Sequence, residues 1–167
     1  VGTNIHGIRV FGTEDQLTPT FWQGLIENNI HVSIGYSFKD KRVCKARERV
    51  IVSACEAGVI WHNIVHRSAL IEHTAKIGSG TQIAQGAIIG NNVKIGAGCI
   101  INTGAIISHD CDIDDNTHIA PGAVLGGNVK IGRNCLIGMN ATVFADVTIP
   151  DNAFVANMAN INTKDTF

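Results

Sequence analysis

The residues best suited to chemistry lie in Ile101-Asn102-Thr103-Gly104-Ala105-Ile106-Ile107-Ser108-His109-Asp110-Cys111. An imidazole titrates near neutral pH and can take a proton from an attacking nucleophile. A carboxylate beside it holds the ring in one orientation and raises its basicity. His109 and Asp110 are adjacent, so they could supply that pair. On spacing alone, the same residues also describe a solvated histidine with a chance acidic neighbour. His6, His31 and His62 have no evident partner and read as structural or solvated, while His66 and His73 stand further along the chain. His118 follows His109 by nine residues, in Asn116-Thr117-His118-Ile119-Ala120-Pro121-Gly122-Ala123.

The elements that must position these residues are set by a repeat. Written in sixes from Val65, the chain gives seventeen hexads, ending at Thr166, without an insertion. The first place is Ile, Val or Leu in all of them, and the fifth is Ala, Val, Thr or Cys in all but one, where Asp165 stands. The second is often glycine, as at Gly78, Gly90 and Gly138. Residues six apart on a helix differ by about 240°, so this period marks no helical face. It marks a parallel β-helix, in which short strands send one aliphatic residue each into a narrow core. Gly, Asn and Asp supply the turns. Cys99, Cys111 and Cys135 all take the fifth place and read as small buried hydrophobes. His109 takes the third, a turn position that the core does not use.

The chain has 167 residues, 45% of them apolar and 16% charged, with a net charge of −1. It can bury a core, and it lacks the basic excess of a nucleic-acid or anionic-membrane surface. No apolar run approaches the roughly 20 residues that cross a bilayer, and no signal-peptide pattern opens the chain. Five cysteines without a CxxC pair argue against a disulfide framework or a thiolate zinc site, and for reduced thiols in a cytoplasm. The first residue is Val1 rather than Met, as expected of a fragment. The first sixty residues read differently from the repeat. A strand is predicted at 8–11, a helix at 18–28 and a strand at 31–34. A capping box at Ser37 and Asp40 opens a basic helix reaching about Glu56, and Gly58 closes it. An extended stretch over 59–64 follows. This order predicts a partial α/β unit over 1–59 and the repeat domain over 60–167. The unit is too short for a complete nucleotide-binding fold, and no GxGxxG loop precedes its first helix.

The hexads resemble those of the left-handed β-helix acyltransferases. That resemblance implies a mostly-β chain: a left-handed parallel β-helix preceded by a small, truncated α/β domain. It also implies three hexads per triangular coil, five to six coils, and a homotrimer with active sites between neighbouring prisms. INTGAIISHDC followed by HIAPGA is similar, more narrowly, to the sialic-acid O-acetyltransferase and bacillosamine-pathway sugar N-acetyltransferase group. The likeness runs from His66 to about Ala145, and Ser33-Ile34-Gly35 with Arg42 resembles the later part of that group's N-terminal domain. It implies acetyl-CoA as co-substrate, no metal, and an amino or hydroxyl group of a sugar, nucleotide-linked, as acceptor. By the same resemblance His109 is the general base and Asp110 increases its basicity. Asn102 is the motif asparagine, and His118, Met139 and Asn157 contact the cofactor.

With three hexads per coil, Gly127 stands one coil after His109, about 4.8 Å away. There it would leave room for a thioester and offer its N–H to the oxyanion of acyl transfer. The group more often carries Glu beside the histidine in its N-acetylating members, so Asp110 leaves N- against O-acetylation open. The group's opening strand and phosphate loop are not found in this chain. Two other readings use the same prism. His73 and His109, two coils apart, have the ligand spacing of γ-class carbonic anhydrases, with Asp114 where a third histidine is expected. The prism could also be a non-catalytic trimeric module.

Overall fold

An aliphatic residue at every sixth position leaves the chain one way to bury them all: extend for two residues, turn for four, and repeat. A computed structural model describes residues 4–5, 8–9, 41–59 and 61–163, with side chains from Arg47 onward except at position 55. From Ile64 to Ile161 it forms two-residue strands in three parallel sheets of six, six and five strands. The first sheet stacks Ile64–Val65, Gln82–Ile83, Ile100–Ile101, His118–Ile119, Leu136–Ile137 and Phe154–Val155. The second stacks Leu70–Ile71, Ile88–Ile89, Ile106–Ile107, Val124–Leu125, Thr142–Val143 and Asn160–Ile161. The third stacks Lys76–Ile77, Lys94–Ile95, Asp112–Ile113, Lys130–Ile131 and Thr148–Ile149. Consecutive strands therefore fall on different sheets. Each strand pairs with those three hexads before and after it, as Ile106 does with Ile88 and Val124.

Successive side chains of a strand point to opposite faces. The second residue of each strand points in, so Ile83, Ile101, Ile119 and Ile137 form one column of the core and Ile89, Ile107, Leu125 and Val143 another. The first residue points out and gives each sheet its surface. The third sheet shows Lys76, Lys94, Asp112, Lys130 and Thr148, all exposed. The second shows exposed Leu70, Ile88 and Ile106.

Fifth-place residues close the corners. Between the third and first sheets they alternate Thr81, Cys99, Thr117 and Cys135, all buried. Each threonine hydroxyl donates to a carbonyl of the next coil, Thr81 to Gly96 and Thr117 to Gly132, both at 2.9 Å. It also accepts the N–H of Cys99 or Cys135, at 3.1 Å in both cases. The thiols donate as well, Cys99 to Asp114 O at 3.3 Å and Cys135 to Pro150 O at 3.0 Å. Burial pushes the Cys135 thiol up to about 11. These cysteines are the small buried groups that their hexad place predicted.

The chain divides into two compact units, Val1–Trp61 and His62–Phe167. In the first, Ile8–Arg9 pairs antiparallel with Asn4–Ile5, a hairpin that the sequence reading did not anticipate. The helix and strand expected over 18–28 and 31–34 lie outside the described residues. The basic helix spans Lys41–Glu56 and buries Arg47, Val50 and Ala54 along one face. It ends as predicted at Gly58, whose φ of 77° is left-handed, with Val59 N–H donating to Ala54 O at 3.0 Å.

Thr117→Val removes both hydroxyl bonds at nearly constant volume and leaves the buried Cys135 N–H unpaired. It should cost about 1–3 kcal/mol and lower the unfolding midpoint in denaturant more than Thr117→Cys, which restores the thiol found in the neighbouring coils.

Candidate active site

His109 and Asp110 occupy the third and fourth places of their hexad, in the corner between the second and third sheets. Asp110 has φ 60°, a left-handed turn that Asn and Asp adopt more readily than other side chains. This turn folds the carboxylate back onto the neighbouring ring: Asp110 Oδ2 lies 2.8 Å from His109 Nδ1. The hydrogen bond with His109 and a second with Asn92 hold the Asp110 carboxyl below the usual carboxylate range. An ionised carboxylate can only accept, so Nδ1 carries the proton and the lone pair is on Nε2. The His109 side chain is 64% exposed, so that lone pair can meet a substrate.

Gly127 stands over the imidazole, as expected from its place one coil on. A Cβ at position 127 would come within 2.6 Å of His109 Cε1 and 2.8 Å of Nε2. Gly90 serves from the other side, since a Cβ there would meet Ser108 C at 2.9 Å and His109 N at 3.0 Å. Among the described residues the Gly127 N–H makes no hydrogen bond. The outward Leu70, Ile88 and Ile106 line a shallow groove of about 680 Å³ that ends at Ser108 and His109.

The remaining predicted residues lie elsewhere: Asn102, Met139 and Asn157 at the corner between the first and second sheets, and His118 beside it, on the outer face of the first sheet. Asn102 Oδ1 accepts the Thr103 N–H at 2.8 Å, which fixes the amide. Its Nδ2 therefore faces His118 Nε2, at 3.1 Å, and that nitrogen accepts. Met139 and Asn157 follow at the same corner in later coils. Asn157 Oδ1 accepts the Met139 N–H at 2.9 Å, which orients its amide. The chain thus makes two clusters, His109–Asp110–Gly127 and Asn102–His118–Met139–Asn157, with the second sheet between them. His73 shares the corner of His109 two coils away, and Asp114 sits at the next corner, on the third-sheet side. Among the described residues no three His, Cys, Asp or Glu side chains converge as a metal site would require. Sequence reading missed Asn92 as a partner of Asp110. Its signal was there, in the same hexad place one coil before Asp110.

Comparison with known proteins agrees with the fold. Residues 68–103 and 92–127 match the family described as bacterial transferase hexapeptide (six repeats), and residues 128–157 match the hexapeptide repeat of succinyl-transferase. The chain is a left-handed β-helix hexapeptide-repeat acyltransferase. Among solved structures it is similar to a histidine-to-asparagine variant of perosamine N-acetyltransferase from Caulobacter crescentus, in complex with CoA and GDP-perosamine. That match has 26% identity and a TM-score of 0.82, and covers 96% of this chain and 73% of the other. It is also similar to the acetyltransferase domain of PglB from Neisseria gonorrhoeae, at 27% identity and a TM-score of 0.79, over 97% and 75% of the two chains. WeeI from Acinetobacter baumannii, 19% identical with a TM-score of 0.55 over 92% and 77%, shares the fold. No curated protein matches the chain by sequence.

Gly127→Ala should drive the imidazole out of its place without straining the backbone. Displacing a catalytic group by about 1 Å costs on the order of 10²-fold. The acyl-transfer kcat should fall by that scale while the prism's unfolding midpoint is retained; wild-type kcat would mean that the ring is not where the reaction occurs.

Proposed function

We propose that this chain transfers the acetyl group of acetyl-CoA to an amino or hydroxyl group of a nucleotide-linked sugar, with His109 as general base. One observation carries the reading: the carboxylate-held imidazole whose free Nε2 faces solvent beside Gly127. Nε2 takes the proton of the acceptor as its nitrogen or oxygen attacks the thioester carbon. The carbonyl electrons move onto oxygen, where the Gly127 N–H can stabilise them. When the carbonyl reforms, the C–S bond breaks and the imidazolium returns the proton to the CoA thiolate. No acyl-enzyme is needed. Cys111, next to the dyad in sequence, is buried and donates its S–H to Gly126 O at 3.1 Å. Burial pushes its thiol up, away from the nucleophilic thiolate. The similarity to sugar N-acetyltransferases, one of them bound to CoA and a nucleotide-linked amino sugar, supports the donor and acceptor class.

The position of the second cluster supports a homotrimer. Asn102, His118, Met139 and Asn157 lie on and beside the first sheet, away from the His109 corner, so a neighbouring prism could bring its own set to the base. The apolar row Leu70, Ile88 and Ile106 is a surface suited to packing. The reading includes a cytoplasmic location, in keeping with the free thiols of Cys99, Cys111 and Cys135.

Thiol release measured with acetyl-CoA across nucleotide amino sugars and sialic acids tests the reaction. Release that depends on one of these acceptors is expected; none with any of them would sink it. His109→Ala should lower kcat at least about 10²-fold, the scale of a lost general base, and leave the assembly intact. Asp110→Asn should have a smaller effect. It leaves the base itself in place, and a loss as large as that of His109→Ala would contradict the division of roles in the dyad. Sedimentation should give a trimer, and an active monomer would refute a shared site.

A further inference from the structure

Asp110 is bonded at both oxygens. Oδ2 meets His109, and Oδ1 accepts the Nδ2–H of Asn92, one coil earlier, at 3.1 Å. Asn92 is itself fixed in place. It has φ 58°, and its backbone N–H donates to Thr74 Oγ1, a further coil back, at 2.8 Å. The Thr74 hydroxyl in turn donates to Asn91 Oδ1 at 3.4 Å. The following coil lends no such support, because Asn128 Nδ2 turns to Asp146 Oδ1 at 2.8 Å.

Asp110 is about half exposed, and a carboxylate bonded only to the imidazole could swing about its χ2. A second donor on the other oxygen fixes its plane. We infer that Asn92 is a positioning residue of this site, acting through Asp110 to keep the His109 proton on Nδ1 and the lone pair on Nε2. The kinetic part of this inference rests on the proposed acetyl transfer. The proton's location does not.

The fold supplies its own control. At the corner between the third and first sheets, away from His109, Asn116 donates to Asn134 at 2.7 Å and Asn134 to Asn152 at 3.3 Å. Breaking a rung there tests the ladder alone.

The experiment is ¹⁵N NMR of the histidine-labelled full chain, which distinguishes the two neutral imidazole tautomers. In the wild type, His109 should be the Nδ1–H form, the minor tautomer of a free imidazole. In Asn92→Gly, which keeps the left-handed turn but loses the donor, the Nε2–H form should appear. In the same variant kcat should fall about fivefold, the scale of one hydrogen bond, with KM for acetyl-CoA unchanged. On an Asp110→Ala background the same substitution should have no further effect. Asn134→Gly should leave tautomer and kcat as in the wild type. If Asn92→Gly does not fold, Asn92→Ala, which lacks the donor and adds no charge beside Asp110, should show the same tautomer change. A wild-type His109 in the Nε2–H form, an unchanged tautomer in Asn92→Gly, or an equal loss without Asp110 would overturn the inference. A protein that transfers acetyl to no acceptor would remove the proposed function, while the tautomer would still report on Asn92.

Discussion

The rest of the prism depends on one hydrogen bond, repeated: the N–H of a strand residue donates to a carbonyl of the next coil. Ile88 donates to Ala105, Ile106 to Ala123 and Val124 to Ala141, each at 2.9 Å. The bond fixes neighbouring strands at sheet spacing and makes the coil of three hexads the unit of adjacency. Each side chain then has one neighbour a coil back and another a coil on. The core columns, the Thr–Cys alternation and the Asn ladders are all consequences of that rule. It also explains the low aromatic content: a core one side chain deep at each level is filled by Ile, Val and Leu.

The candidate site uses this rule together with one local feature. Asp110 reaches His109 through a left-handed turn, an interaction between sequence neighbours. Gly127 and Asn92 reach the same pair only because coils stack, Gly127 from the coil after His109 and Asn92 from the coil before Asp110. A base held this way needs no loop to carry it. It stands on a rigid corner, with backbone on both sides and glycines at the two places where a Cβ would intrude.

Much of this was legible in the sequence because the repeat is strict. Seventeen aliphatic first places located every strand of the prism, and the place of His109 in its hexad put it on a corner. Gly127 followed by counting. Asn92 could have been found by the same counting, but its amide reads as an ordinary turn residue until a donor is seen meeting the free oxygen of Asp110. The separation of His118, Met139 and Asn157 from His109 was also implicit in the hexad phases, since their places belong to the first sheet and the corner that follows it. The N-terminal unit was harder. A strand was expected at 8–11, but its antiparallel partner Asn4–Ile5 is two residues long, too short for an alternating pattern to register, whereas the end of the helix Lys41–Glu56 was marked by Gly58.

The unbroken run of hexads has a bearing on how such a chain can change in length. A globular domain absorbs a one-residue insertion in a surface loop. Here the strands are two residues long and the turns four, so an extra residue that is not bulged out rotates every later Ile off the core and every later Asn off its turn. Losing half a hexad or a whole one would likewise hand a strand to the wrong sheet. Unless the extra residues bulge out at a corner, length can change without penalty only in steps of eighteen codons, a whole coil at a time. The distance between the His109 corner and any other feature of the prism is therefore quantised, and drift in the gene moves it by full rungs or not at all.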